Sequence, residues 1–350
     1  DGYKRQLRAG AISHDSTILP PRGMTRTVPI EEISIETNAE RCAVRKDAGD
    51  GPDITDGILV YANVSKTADG QIAIDGGKGV GRVTKKGLDQ PVGSASINHV
   101  PRRMIEKELE NLRKEYGYEG GFSVLIEIPL GESLAAKTFN PQLGIIGGLS
   151  VIGTSGIVDP MSTQALLDTI DTEFKMYAAE GEKEIILTPG NYGEKFIRDN
   201  PGFSQRAVVK CSNFIGASLD MAIAHGFTSA LILGHIGKLV KLAGGVMDTH
   251  SKTADCRMEL LALHTPLTGG DILLMQRIMD SITTDDALET IDHAGLLPKV
   301  MDSVLHKAEE YIQRRTKGAM TVGVVTFSFR FGLLGISPSA ENILNVWKES

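Results

Sequence analysis

From about residue 147 the chain alternates short apolar runs with helical periods, and each run stops at glycine or small polar residues. Leu149–Ile152 leads into Gly153-Thr154-Ser155-Gly156, and Glu184–Leu187 into Thr188-Pro189-Gly190-Asn191. Ala207–Lys210 leads into Cys211-Ser212-Asn213, and Ala230–Leu233 into Gly234-His235. Short continuous apolar runs fit strands buried on both faces. Between them, Leu166, Leu167, Ile170, Phe174 and Tyr177 mark one face of a helix that Gly181 ends, with Asp159 as N-cap and Pro160 at its first position. Further helices are expected from about Gly216 to His225 and from about Asp255 to Lys317, the latter broken near Thr265-Pro266 and Gly295. Thr321–Phe329 reads as a last strand. This alternation predicts a mainly parallel sheet with helices on both faces. Such sheets bind ligands in the crevice outside the carboxyl ends of their strands, where the polar residues stand here. An enzyme or a small-molecule binder is expected.

The earlier part reads differently. Val28–Glu36, Ile58–Val64, Ile72–Ile74 and Phe122–Ile128 alternate apolar and polar residues, as half-buried strands do. One helix, from about Arg102 to Tyr116, has Ile105, Leu109 and Leu112 on one face and Pro101 near its start. The expected organisation is an α+β domain rich in antiparallel strands over 1–146 and an α/β domain over 147–350. A chain of 350 residues suits two domains. A net charge of −7 argues against a nucleic-acid binder that relies on a global basic field. No run approaches the ~18 apolar residues of a membrane span, and no basic-then-apolar segment opens the sequence. Cys42, Cys211 and Cys256 lie far apart and suggest no disulfide framework. A soluble cytoplasmic protein is expected, with neither nucleic acid nor membrane as partner; homo-oligomerisation is left open.

Several motifs carry candidate chemistry. Gly76-Gly77-Lys78-Gly79-Val80-Gly81 has the look of a phosphate loop, but Arg82-Val83-Thr84-Lys85 has no helical period, so a glycine hairpin is expected. Gly153–Gly156 sits between a strand and a capped helix, which suits a nucleotide-like ligand or a tight turn. His235 and His250 lie among glycines, lysines and hydroxyls, a setting for acid–base work or for satisfied structural histidines. Their spacings with the cysteines fit no common zinc pattern, and no resident metal is expected. Lys46-Asp47-Ala48-Gly49-Asp50-Gly51-Pro52-Asp53 is either a polar-ligand loop or a turn held by its own aspartates. Basic residues recur through these segments, which suggests an anionic ligand. By crevice logic, Gly153, Thr154, Ser155, Gly156, Gly190, Asn191, Ser212, Asn213 and Gly234 are the candidate cofactor-binding positions.

Taken together, the blocks resemble a known family, the cobalt-precorrin-5B (C1)-methyltransferases of anaerobic cobalamin biosynthesis. The matching stretches are Lys46–Gly57, Gly76–Leu88, Val100–Ile105, Lys137–Ser162, Pro189–Gly193, Ser212–Gly216 and Gly234–Glu259. They follow the family's order over nearly the whole chain, and the two long blocks are highly specific. The resemblance implies an α+β domain joined to a Rossmann-like α/β domain. It also implies methyl transfer from S-adenosylmethionine to ring carbon C1 of a cobalt-containing, anionic corrinoid precursor, with cobalt present only as part of the substrate. The macrocycle's acetate and propionate arms suit basic and polar residues at its rim. The candidates there are Lys46, Asp47, Lys78, Arg102, Lys137, Asn140, Lys238, Ser251 and Arg257, with His235 and His250 as acid–base residues. A Rossmann-type oxidoreductase and a non-catalytic tetrapyrrole-binding protein are the alternatives.

The chain departs from the family pattern in three places. His99 stands where proline is usual, and Gln142 where arginine is common. Leu7-Arg8-Ala9-Gly10 matches the family's opening, but Ala11-Ile12 follows without the expected Tyr-Thr-Thr-Gly and alanine-rich helix, so residues are expected to be missing between Gly10 and Ala11. No acidic residue ends Glu184–Leu187 to hold a ribose; Thr188, Asn191 or Glu194 could substitute.

Overall fold

Most of the half-buried strands of the first part gather into one mixed sheet. The structure is a computed structural model that describes residues 15–18, 20, 25–35, 39–49, 53–153, 163–203 and 206–349. The Gly10–Ala11 junction, Thr154, Ser155, Gly156, Asp159 and Pro160 lie outside these. The chain divides into two compact units, Asp1–Leu166 and Leu167–Ser350.

The first unit runs β1 (Asp15–Ile18), β2 (Arg26–Pro29), β3 (Glu32–Ile35), β4 (Ala39–Arg45), β5 (Leu59–Thr67), β6 (Ile72–Gly76), β7 (Gly79–Val80), β8 (Arg82–Val83), α1 (His99–Tyr116), β9 (Gly121–Glu127), α2 (Gly131–Ala135), β10 (Ile145–Ile146) and β11 (Gly148–Leu149). Its main sheet has the order β3-β4-β5-β9-β6, antiparallel except for the β6–β9 pair. The stretch Val28–Glu36 is not one strand. It breaks after Pro29, which has no N–H for a ladder, and the parts pair with different partners, β1 and β4. α1 lays Leu109 and Leu112 into the core with Phe122, Val124 and Ile126, the inward residues of β9.

Two expectations are corrected here. Leu149–Ile152 does not start the second domain's sheet: Gly148 and Leu149 pair in parallel with Gly79 and Val80, and Val151 bridges Ile97, all in the first unit. The division between units therefore falls later than 146/147. The Gly76–Gly81 run is a turn followed by short strands, but no hairpin, because β7 pairs with β11 and β8 with β10. Gly79 is required in this crossing. It has φ +74°, and an added Cβ would stand 1.8 Å from the Ile128 carbonyl oxygen. Gly79→Ala is expected to destabilise the first unit by roughly 3 kcal/mol or more, read as a lower denaturant midpoint.

The second unit contains α3 (Thr163–Glu180, entering from the end of the first), β12 (Glu184–Thr188), α4 (Asn191–Asp199), β13 (Ala207–Lys210), α5 (Ile215–Ala224), β14 (Ser229–His235) and the short α6 (Ile236–Leu239). Then come α7 (Arg257–Leu267), α8 (Ile272–Met279), α9 (Thr284–His293), α10 (Leu297–Thr316), β15 (Thr321–Ser328), β16 (Gly332–Ile336) and α11 (Pro338–Glu349). The sheet order is β13-β12-β14-β15-β16, with the first four strands parallel and β16 antiparallel at the edge. Counted along the chain this is second-first-third-fourth-fifth, one of the common doubly wound orders.

Strand alternation sorts the core into two layers. Ile185, Leu187, Ala230 and Ile232 pack with Ile170 and Phe174 of α3, Leu219 of α5 and Ile312 of α10. Ile186, Leu231 and Leu233 belong to a separate cluster with Ile197 of α4 and Ala340, Ile343 and Trp347 of α11. A further cluster joins α7, α8, α9 and α10 through Leu261, Ile278, Leu288 and Val304. The expected helical stretch over Asp255–Lys317 is thus four helices. Pro266 sits within the last turn of α7 rather than ending it, and the break comes at Thr268-Gly269-Gly270.

Candidate active site

Chain direction creates the site. From β12 the chain passes through α4 to β13 on one side; from β14 it reaches β15 on the other. The carboxyl ends of β12 and β14 therefore border a topological switch point, where no crossover covers the crevice. A cleft of about 290 Å³ lies there. Pro189, Tyr192 and Gly193 line it from beyond β12, and Gly234, His235, Gly237 and Lys238 from the end of β14. Arg257 and the Thr283-Thr284-Asp285 corner complete it.

His235 ends β14 and caps α6, its Nδ1 accepting the Gly237 N–H at 3.1 Å. The neutral ring therefore carries its proton on Nε2. That makes His235 a hydrogen-bond donor on its other edge. Proton abstraction would need Nδ1 to release Gly237. Burial lowers its pKa, opposed by the Asp285 carboxylate. Phe329, Phe327 and Tyr192 surround the ring at centroid distances of 5.4, 5.9 and 6.2 Å. Tyr192 and Phe329 meet edge to face at 4.8 Å and are both more than half exposed.

Lys238 reaches back across the switch point and donates to the Pro189 carbonyl at 3.0 Å. Burial lowers its pKa, and the charge of Lys241 adds to the fall. Gly190, with φ +112°, directs the chain from Pro189 into α4.

Lys238, Gly237 and Arg257 also line a second cleft of about 320 Å³, together with Asn213, Lys241, Thr249, His250, Ser251 and Asp255. Lys241 is buried and donates to the carbonyls of Ala254 at 2.7 Å and Thr249 at 3.2 Å. Thr249 Oγ1 is buried without a hydrogen-bond partner among the described residues. Arg257 is held on Asp255 by two bonds of 2.6 and 3.0 Å. The exposed His250 accepts the Lys252 N–H on Nδ1 at 3.0 Å. Each cleft thus has one acid, Asp285 or Asp255, beside the shared Lys238 and Arg257; Tyr192 and His235 mark the first, and Lys241 and His250 the second.

Most second-unit candidates converge here. Gly234 and His235 line the first cleft, Asn213, His250 and Ser251 the second, and Lys238 and Arg257 both. Gly190 and Asn191 flank the lining residues Pro189 and Tyr192, and Ser212, held at φ +51°, precedes Asn213.

The remaining candidates lie in the first unit. Lys46 pairs with Asp53 at 2.6 Å, Asp47 accepts the Gly49 N–H, and Asp56 accepts the Ala48 N–H, so the aspartates hold their own loop. Lys78 and Lys137 are exposed. Gly153 lies beside Pro101. Arg102 and Asn140 turn inward instead. Arg102 donates to the carbonyls of Ile97, Ile74 and Ala95, and Asn140 bonds the Gly148 carbonyl at 3.1 Å. Both brace the first unit's backbone, which withdraws them from a ligand rim. Among the possible ribose acceptors, Glu194 is paired with Lys210 at 2.9 Å and Thr188 is fully buried.

Tyr192, Lys241, Thr249 and Thr283–Asp285 join the site without having been singled out as site residues. The last had a readable signal. Thr283 and Asp286 have capping-box spacing, and the structure shows both reciprocal bonds.

The family profile described as CbiD matches residues 4–160, and that of the CbiD C-terminal domain matches 248–338. The chain is 44% identical over 329 residues to the cobalt-precorrin-5B C(1)-methyltransferase of Ruminiclostridium cellulolyticum, covering 92% of this chain and 85% of the relative. It is 39% identical over 342 residues to the protein of the same name from Alkaliphilus metalliredigens, covering 98% and 89%. The chain belongs to the CbiD family. A solved CbiD, the cobalamin biosynthesis protein of Archaeoglobus fulgidus, aligns over 73% of this chain and 79% of its own at 23% identity and a TM-score of 0.37. In this CbiD chain the C-terminal profile spans His250, Ser251, Arg257 and Asp285, while β12, β14 and Lys238 fall between the two profiles. Among its described residues, no helix is long and apolar enough to cross a membrane, and no group of three or more His, Cys, Asp or Glu could hold a metal ion.

Proposed function

We propose that the chain transfers the methyl group of S-adenosylmethionine to ring carbon C1 of cobalt-precorrin-5B, giving cobalt-precorrin-6A in cytoplasmic corrin-ring biosynthesis. The observation that carries this reading is the paired cleft at the β12–β14 switch point, in a chain whose relatives bear the methyltransferase name. The first cleft takes the donor, and its doubly wound surroundings suit a Rossmann-like domain. The basic second cleft takes carboxylate arms of the anionic corrinoid, with Lys238 and Arg257 at the shared wall. First-unit Lys46, Asp47, Lys78 and Lys137 remain proposed rim contacts.

The chemistry asks little of a protein nucleophile. The ring carbon supplies the electron pair for the new C–C bond while the C–S bond breaks. The sulfonium leaves as the neutral thioether S-adenosylhomocysteine, and the positive charge passes to the macrocycle. The chain's part is to hold donor methyl and ring carbon in line, which can contribute on the order of 7 kcal/mol or more. His235, protonated on Nε2, serves by donating a hydrogen bond, and His250 stays a candidate for proton handling in the second cleft. The Gly76–Gly81 run opens no helix, so the oxidoreductase alternative lacks its phosphate-binding turn.

Incubation with methyl-labelled donor and cobalt-precorrin-5B tests this. Label should move to the corrinoid with equal formation of S-adenosylhomocysteine. Binding of a nicotinamide cofactor in place of the donor would sink the reading, as would corrinoid binding without turnover.

A further inference from the structure

Asp285 is the only acid among the residues that line the first cleft. Its helix does not need it. α9 is capped by Thr283, which accepts the Asp286 N–H at 3.1 Å, while Asp286 accepts the Thr283 N–H at 3.1 Å. Asp285 Oδ1 is shut away from water and has no hydrogen-bond partner among the described residues. The residue is only partly buried, so its other oxygen, Oδ2, is the acceptor that can face the cleft.

The neighbouring group fixes what kind of donor. His235 senses the Asp285 charge, lines the same cleft, and has Nδ1 committed to Gly237, so its free edge is an N–H. The cleft therefore sets a carboxylate acceptor near an imidazole donor. An ammonium group can use only the acceptor, and a carboxylate only the donor. A hydroxyl both donates and accepts, so a single hydroxyl, or one of an adjacent pair with its neighbour on the imidazole, can use both groups. Lys238 supplies a cation elsewhere in the same cleft for an anionic end.

We propose that the ribose hydroxyl pair of the adenosyl donor binds between Asp285 Oδ2, which accepts from one hydroxyl, and the Nε2–H of His235, which donates to the other, while Lys238 faces the donor's α-carboxylate. This assignment rests on the donor reading above. It supplies from the N-terminus of α9 a carboxylate acceptor, where the end of β12 offers only the exposed amide of Asn191, since Glu194 is engaged by Lys210 and Thr188 is enclosed.

The test is calorimetric binding of S-adenosylhomocysteine and of its 2′,3′-dideoxy counterpart to the whole chain and to Asp285→Asn, with Asp285→Ala as a second variant. Wild-type protein should prefer the ribose ligand by roughly 10- to 100-fold, the range of a charge-assisted hydrogen bond. D285N should weaken the ribose ligand by a similar factor and lose the preference, with an unchanged melting curve. A D285N protein that binds the ribose ligand as the wild type does, or that keeps the full preference, overturns the assignment. Wild-type binding of both ligands with equal affinity overturns the assignment alone. If the wild type binds neither ligand, the donor reading falls, and the assignment falls with it.

Discussion

With Lys238 replaced by methionine, methyl transfer is expected to fall by about 10²- to 10³-fold, the equivalent of losing a partly desolvated charge that holds a ligand anion. Lys238 lines both clefts, so under the proposed assignment one side chain serves donor and corrinoid together. Its bond to the Pro189 carbonyl ties the loop after β12 to the start of α6. Methionine keeps most of the apolar stem, so the loss reads charge and hydrogen bonding rather than packing. Single-turnover rates with both substrates well below saturation, checked against a thermal melt, measure it. A K238M protein that folds and turns over at the wild-type rate would remove Lys238 from the site.

The second large effect concerns stability. Glu173, on α3, is buried, with a pKa pushed up to about 7 by that burial. The Lys210 N–H and charge pull it back, and Glu194 adds to the rise. A carboxyl whose folded pKa lies above its unfolded value binds its proton more tightly when folded. Its contribution is fully present below about pH 4.5 and is lost as pH rises through about 7. At pH 8 the folded protein carries a buried carboxylate at a cost of about 3 kcal/mol. Glu173→Gln is uncharged throughout and is expected to be more stable at pH 8 by about that amount, with the gap closing toward pH 4.5. Denaturant melts at the two ends of this range would show it. Equal or lower stability of the variant at pH 8 would mean that Glu173 is not held neutral by its surroundings.

Much of the second unit was legible because its core strands are apolar on both faces. Glu184–Leu187, Ala207–Lys210 and Ala230–Leu233 announce themselves without help from the fold, and the switch point follows from their polar ends. The edge strand β16 and the following α11 were not read. Gly332–Ile336 is only partly buried, and its pairing with β15 exists only once the turn at Arg330-Phe331 has formed. β4 was hidden by Glu40, Arg41 and Arg45, although it lies between β3 and β5. Leu149 shows the opposite failure. Its apolar run looked like the first strand of the parallel sheet, but its partner, Val80, is distant in sequence and belongs to the first unit.

The site divides in the same way. His235, Lys238, Ser251 and Arg257 could be named because they cluster in one polar, glycine-rich stretch. Asp285 could not, since only the packing of α9 against the α7–α8 pair carries it to the cleft. Arg102 and Asn140 show why charge and polarity alone mislead. Both look like rim contacts in sequence, and both spend hydrogen bonds on nearby carbonyls.

The most direct test of the central claim is a single turnover with ¹³C-methyl S-adenosylmethionine and cobalt-precorrin-5B, with the label located by NMR. The account predicts one labelled methyl on ring carbon C1 and one equivalent of S-adenosylhomocysteine. Label at another carbon, or an unlabelled corrinoid recovered with intact donor, would contradict it.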